Sequence, residues 1–388
     1  MSAPVLLQLL PALGDGGVEK SAVEMAGFLV AKGWTSLVAS GGGDLVPAVV
    51  AAGARHVALP VGAKSPFAIL ANARRIAALI DREGVDVVHA RSRAPAWAGW
   101  LAARHLSRRK PAFLTTFHGL YGHGNALKRS YNAVMLKGAV TIANSRHIAD
   151  HIVAVYGYPR ARIVIAPRGV DIAAFDPAAL PAGTREVVRT ELGVPPDAAL
   201  LLMVGRLTRW KGHESLIRAL ARVDRPFVCA LAGEGGDDGY RAELQQLAAA
   251  EGVADSLRFL GSRRDIAALD AAADLAFSCS IRPEAFGRVA IEAMAMGTPV
   301  IATAHGGSLE TVGDGETGWL VPPGDVAAIT AAVEATLGDP VRAAAMGQAG
   351  RQRVLAGFTT RATCEREFEA ISRALAIHRG DTRPVSHG

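Results

Sequence analysis

Hydrophobic residues along the chain fall into short unbroken runs separated by longer, alanine-rich stretches. In the first half these runs cover residues 5–10, 36–39, 85–89, 112–117, 139–143 and 163–166. They are continuously apolar rather than alternating, which marks strands buried on both faces. Strands of that kind joined by helices form repeated βαβ units and so a parallel sheet. The pattern is interrupted at Pro167-Arg168-Gly169-Val170-Asp171 and by a Pro-, Gly- and Ala-rich segment reaching Gly183, which reads as a connection between domains. It resumes at 199–204, 228–232, 257–260, 273–278 and 300–303, and residues 317–323 close a second sheet. An α/β chain with one domain over 1–175 and another over 176–359 is expected. The segment from Ala327 onward is helical, and residues 378–388 have no periodicity and are expected to be disordered.

Composition narrows the class. A chain of 388 residues, half of them hydrophobic, can bury two cores. Cys229, Cys279 and Cys364 have no paired or metal-ligand spacing, which argues against a disulfide or zinc framework and fits a reducing compartment. The opening apolar run has no basic leader and stops at Pro11 and Gly14, so it reads as a first strand and not a signal peptide. No run approaches the roughly 18 apolar residues of a membrane span, and a cytoplasmic protein is expected. A net charge of +6 permits attraction to phosphates, nucleic acid or an anionic membrane face without choosing among them.

Ligands of parallel sheets bind beyond the carboxyl ends of the strands, so the loops there carry the candidate chemistry. Gly14-Asp15-Gly16-Gly17 follows the first strand and precedes a helix beginning near Val18. Its glycines let backbone approach a ligand, and its spacing is not the G-x-G-x-x-G of dinucleotide enzymes. His118 ends the fourth apolar run and is followed by glycine. Asn144 or Ser145 reads as a helix cap. Arg91 and Arg93 stand at another strand end, and Arg104, Arg108, Arg109, Lys110, Lys128 and Arg129 make the first half locally basic. They form either solvated surface or a docking face for an anionic headgroup or glycan. In the second half, Arg206 and Lys211 follow the strand at 199–204, and Arg263 follows the one at 257–260.

The stretch PEAFGRVAIEAMAMGTPV, residues 283–300, reads as a helix entered through Gly287 and closed by Gly297. With helical rise, Glu284 and Glu292 would be about 12 Å apart, too far for a glycosidase pair acting on one bond. That spacing suits the two ends of an extended ligand such as a nucleoside-diphosphate sugar. Its diphosphate would face the free N–H groups at the helix start, around Gly287 and Arg288.

The run EAFGRVAIEAMAMGTPVIAT, with VGRL-x-x-x-KG, His118-Gly119, GG-x-E at Gly16-Gly17, P-x-G-V-D at Pro167 and GG-x-x-E at Gly306, resembles the retaining glycosyltransferases of family four. The resemblance covers roughly residues 4–376. It implies the GT-B fold, two Rossmann-like parallel-sheet domains facing across a cleft, with a helix over 360–377 crossing back to the first domain. It further implies that His118, Arg206, Lys211 and Glu284 are catalytic, with Arg206 and Lys211 gripping the donor diphosphate and Glu284 and His118 binding the sugar. Donor contacts would come from Gly16, Gly17, Arg263, Phe286, Gly287, Arg288, Val289 and Glu292, the last on the ribose. The Gly306-Gly307 turn is read as structural support. No D-x-D-like site stands out, so neither metal nor other cofactor is expected beyond the nucleotide-sugar co-substrate. HARSRAPAW and FHG-x-Y are similar to members that build lipopolysaccharide, implying a glycan or glycolipid acceptor, an anionic membrane surface as partner and no nucleic acid. Ala285 and Arg288 depart from the usual E-G-F-G-L pattern. A phosphorylase, a sugar-nucleotide epimerase and a non-catalytic nucleotide-sugar binder are the alternatives.

Overall fold

The computed structural model describes residues 3–14, 16–235 and 239–380. The chain divides into two compact units: Met1–Pro167 with Thr360–Gly388, and Arg168–Thr359. The division precedes the expected boundary at 175 because the connecting segment is already stitched into the second unit. Val170 forms a parallel bridge with Thr359, and its N–H donates to Phe358 O at 2.9 Å. Phe175 packs on the apolar cluster around Ile291 and Met294.

The first unit is built on seven parallel strands: β1 (Val5–Leu9), β2 (Thr35–Ser40), β3 (Arg55–Ala58), β4 (Val87–Ala90), β5 (Ala112–Phe117), β6 (Val140–Ala143) and β7 (Ile163–Ile165). Their order is β3-β2-β1-β4-β5-β6-β7. The continuously apolar runs became β1, β2, β4, β5, β6 and β7, the last of them at one edge of the sheet. Strand β3, RHVA, has no such run, because an edge strand is covered on fewer sides and tolerates Arg55 and His56. Chain order reverses between β1 and β4, so the loops after those strands diverge there. Helix Thr360–Arg379 packs on helix Gly17–Ala31 and on β5, β6 and β7. Ala370, Ile371 and Ala374 join Met25, Leu29, Leu114 and Ile142 in one core, and Phe368 lies edge-on to Phe28 and Trp34. The helix therefore includes His378 and Arg379, expected to lie in the tail, and residues 381–388 lie outside the described residues.

The second unit has six parallel strands: β8 (Ala199–Val204), β9 (Phe227–Ala232), β10 (Leu257–Gly261), β11 (Leu275–Ser278), β12 (Val300–Thr303) and β13 (Gly318–Val321). Their order is β10-β9-β8-β11-β12-β13, with the reversal between β8 and β11. One face carries the cluster of Leu216, Ile217, Ile329 and Val333, and the other that of Val188, Leu269 and Ala272. A concavity of about 550 Å³, lined by Arg189, Ala199, Asp274 and Pro299, lies at the amino ends of the strands, away from the loops that carry the candidate chemistry. Its Asp274 is already satisfied by Arg185, Arg189 and the N–H of Leu200. Among the described residues, no helix is long and apolar enough to cross a membrane.

Candidate functional site

The loops after β8 and β11 leave the second sheet at its reversal point, at the carboxyl ends where parallel sheets bind their ligands. They are clasped together. The Ile281 N–H donates to Trp210 O at 2.8 Å, and Gly212, at φ +85°, lies so close to the Cys279 carbonyl that no Cβ fits. Immediately before that glycine, Lys211 runs back over Gly205 and its Nζ donates to Glu284 Oε1 at 2.7 Å. The ammonium also lies 4.7 Å from the Trp210 ring centroid. Glu284 Oε1 accepts from Ser280 Oγ as well, and the Ser280 carbonyl is 2.7 Å from His305 Nε2. The side chains of Lys211 and Glu284 are 12% and 16% exposed, enough for a ligand to reach the pair and too little for water to screen it freely. Ser280 and His305 had no mark in the sequence, because only the fold brings their loops beneath Glu284.

The Gly306-Gly307 turn packs directly against this loop. Gly306 is at φ +61° with the Glu284 backbone where a Cβ would stand, and the Gly307 N–H donates to Glu284 O at 3.0 Å. Gly287, at φ +83°, opens helix Arg288–Ala295, and Gly297 at φ +81° follows its end. Glu284 precedes this helix, so helical rise applies to only part of the interval between it and Glu292. Glu292 is on the helix, 3.2 Å from Arg288. Phe286, expected as a donor contact, is 3% exposed in the core beside Phe358, so its side chain packs the loop and only its backbone can face a ligand. Val289 is half-buried on the first turn.

Arg206 is exposed and makes no ion pair with a described residue. Arg263 is instead committed to Glu191 and Asp265, both at 2.5 Å, which hold its guanidinium firmly charged. Beneath the loop, burial and the Lys211 charge push His213 down to about 4. Asp270 is fully buried behind Glu292, and burial first, then the Glu292 charge, raises its carboxyl well above the usual range.

In the first unit, Gly16 caps helix Gly17–Ala31 with extended backbone and the Glu19 carboxylate folded against it. Asp15 lies outside the described residues. His118 directly follows β5 and is half-buried, and its carbonyl accepts from Asn144 Nδ2 at 3.1 Å. Ser145 caps helix Arg146–Tyr156 through Ile148 N–H at 3.0 Å. Tyr121 stacks 4.4 Å from Phe117 under the Arg93 guanidinium, and burial lifts its phenol to about 12.

The basic group of this unit does not form one face. Arg91 is 1% exposed and paired with Glu367 at 2.6 Å, so it is interior. Arg108, Arg109 and Lys110 precede β5 and lie at the amino edge of the sheet, whereas Lys128 and Arg129 follow it at the carboxyl edge. Arg109 is paired with Asp86 at 3.0 Å.

Residues 15–174 match the model of Glycosyltransferase Family 4, and residues 184–353 that of Glycosyl transferases group 1. A D-inositol 3-phosphate glycosyltransferase of Catenulispora acidiphila is 34% identical over 259 residues, which are 64% of this chain and 59% of that protein, so the match leaves much of that relative's length unspanned. A crystallographic glycosyltransferase from Rickettsia africae is 34% identical, with TM-score 0.89 over 97% of this chain and 99% of that one. Anabaena HepE, solved with UDP and glucose, has TM-score 0.82 over 95% and 99% at 23% identity, a likeness of fold.

Proposed function

The chain belongs to the group 1, family-four glycosyltransferases, with their GT-B fold of two Rossmann-like domains, and from that we propose that it transfers a sugar from a nucleoside-diphosphate sugar to a hydroxyl acceptor with retention of configuration. The observation that carries this is the Lys211–Glu284 pair spanning the reversal point of the second sheet, beside the N-terminus of helix Arg288–Ala295. A diphosphate placed there meets Lys211, Arg206 and the N–H groups after Gly287, which stabilise the charge that develops as the sugar leaves. Glu284 accepts from sugar hydroxyls, Glu292 from the ribose, and His118 donates to the sugar. The acceptor oxygen bonds to the anomeric carbon as the carbon–phosphate oxygen bond breaks. The bonding pair stays on the diphosphate, and a departing phosphate oxygen takes the acceptor proton. These side chains hold the diphosphate without a metal.

The acceptor is a phosphate-bearing polyol or envelope glycan. The inositol 3-phosphate in the relative's name and a lipopolysaccharide core share that chemistry. HepE's complex with UDP and glucose supports UDP-glucose as the first donor to try.

The test is nucleotide release with UDP-, GDP- and ADP-sugars in the presence of EDTA, with inositol phosphate and lipopolysaccharide core offered separately as acceptors. Lys211→Ala and Glu284→Ala are each expected to lower kcat by about 100- to 1,000-fold. Full activity in Glu284→Ala would remove the pair from the mechanism, and an inverted anomer by NMR would remove the same-face route.

A further inference from the structure

Arg288 does not suit the helix it opens. A cation in the first turn faces the positive end of the helix dipole, and arginine four residues before glutamate is the weaker order of such a pair. Its Nε is buried with no hydrogen-bond partner among the described residues, a donor taken from water without replacement. Its Nη2 lies 3.2 Å from Glu292 Oε1, and the two side chains are 23% and 15% exposed. Behind Glu292, on helix Ile266–Ala272, Asp270 is 1% exposed, and its Oδ2 has no hydrogen-bond partner among the described residues either. The unpartnered atoms thus belong to the two residues beside one carboxylate, and helix stability explains neither. Of the other charged side chains on the elements packed against this helix, Arg342 lies over the Trp319 ring, and Arg351 bonds Asp176 and the Ala295 carbonyl. Arg353 bonds the carbonyls of Glu310 and Thr311, and Glu310 stands on the short helix Ser308–Thr311.

We propose that Arg288 is a positioning residue for the donor's ribose: it fixes the Glu292 carboxylate in one orientation and holds the negative charge there rather than on the buried Asp270. Two neighbouring carboxyls in a dry interior do not both ionise, and a cation beside one of them decides which carries the charge. Burial, then the Glu292 charge, keeps the proton on Asp270. An ionised Glu292 is purely an acceptor and can take both ribose hydroxyls, whereas a protonated one carries a donor and loses that match. The planar guanidinium fixes direction as well as charge, which an ammonium on a flexible stem does less well. The inference rests on the transferase reading, in which Glu292 meets the ribose. It adds a residue whose side chain acts through Glu292 and not on the diphosphate.

Calorimetry on the full-length protein, without acceptor, measures three dissociation constants: for whichever of UDP, GDP and ADP binds most tightly, for its 2′,3′-dideoxy analogue, and for inorganic pyrophosphate. The unsubstituted protein should prefer the ribose form at least about tenfold, the scale of one hydrogen bond to a charged group. Arg288→Leu should cut that preference to about twofold while pyrophosphate affinity changes far less than nucleotide affinity. Its melting temperature should not fall, because the substitution takes a cation from the dipole's positive end and removes a buried donor without a partner. Glu292→Gln should lose the preference too, and adding Arg288→Leu to it should lower it no further. Asp270→Asn in the Arg288→Leu protein should return part of the preference, since no second acid then contends with Glu292 for the charge. The proposal is overturned by an unchanged preference in Arg288→Leu, by losses that add in the double variant with Glu292→Gln, or by no recovery with Asp270→Asn. A pyrophosphate affinity that falls as far as the nucleotide's overturns it as well, by making Arg288 a diphosphate contact. Binding of none of the three nucleotides would remove the transferase reading and this proposal together, whereas nucleotide binding with an unaltered preference removes the proposal alone.

Discussion

Replacing Glu367 by glutamine tests what holds the last helix to the first unit. Glu367 is 1% exposed and takes two bonds from Arg91, Oε2 from Nη2 at 2.6 Å and Oε1 from Nη1 at 3.3 Å. The same guanidinium reaches Gln8 on β1 at 2.7 Å and Ser21 on helix Gly17–Ala31 at 3.4 Å. Glutamine has the same volume, so no cavity opens, and the change isolates the charge. What remains is a guanidinium in a dry interior facing an amide that must turn an N–H toward it. Removing one partner of a buried ion pair costs about 3–5 kcal/mol. Because the chain has two units, a single global unfolding energy is not the right measure, and the readout must be local. Hydrogen exchange followed by mass spectrometry on peptides covering 360–379 supplies it. At about 1.4 kcal/mol per factor of ten, protection there should fall by roughly two to three and a half orders of magnitude, while peptides of β8 to β13 stay unchanged. Arg91→Met combined with Glu367→Met should recover much of the loss, since the charge and its counter-charge leave together and an apolar pair takes their place. Unchanged protection in Glu367→Gln, or a double variant as costly as the sum of its parts, would refute the reasoning.

Two further outcomes follow from buried titrating groups in the second unit. His213 is moved from 6.5 down to about 4, first by burial and then by Lys211. Above pH 6.5 it is neutral folded or unfolded, and between about 6.5 and 4 only the unfolded chain takes the proton. Stability should therefore fall by roughly 3 kcal/mol across that window. His213→Phe should flatten the fall in acid-titrated denaturant curves, and parallel curves for the two proteins would contradict it. Asp270 has the opposite sign: its folded carboxyl keeps its proton well above the usual range while the unfolded chain loses it, so stability declines as pH rises from about 4. Asp270→Asn should raise the melting temperature at neutral pH and remove that decline, and a lower melting temperature at pH 7 would show that the carboxyl is needed ionised.

The sheets were legible because strands covered on both faces must be apolar throughout. The runs at 112–117, 199–204 and 300–303 coincide with β5, β8 and β12. Strand β3 was not legible, since its sequence, RHVA, carries Arg55 and His56 in place of an apolar run, which an edge position tolerates. The site was legible where chemistry and backbone demand coincide in one short run, as at Lys211-Gly212, where the glycine is required by the Cys279 carbonyl. It was not legible where partners come from far along the chain. Nothing local distinguishes Arg91, whose partner is Glu367, from Arg93, which stacks on Tyr121, although two residues separate burial from half-exposure. The same limit misgrouped the basic residues around β5. Runs adjacent in sequence fall on opposite edges of a parallel sheet whenever a strand lies between them.

The resting state of Lys211 bears on the proposed reaction. A lysine only 12% exposed is costly to keep charged without a partner, and Glu284 supplies one while no donor is present. A diphosphate offers the ammonium a stronger and doubly charged partner at the same place, so binding exchanges one counter-charge for another and does not strip the lysine of its only one. That exchange releases Glu284 Oε1 to accept from the donor's hydroxyls, with Ser280 still bonded to hold the carboxylate in place. Binding of the diphosphate and readiness of the sugar-binding acid are then a single event.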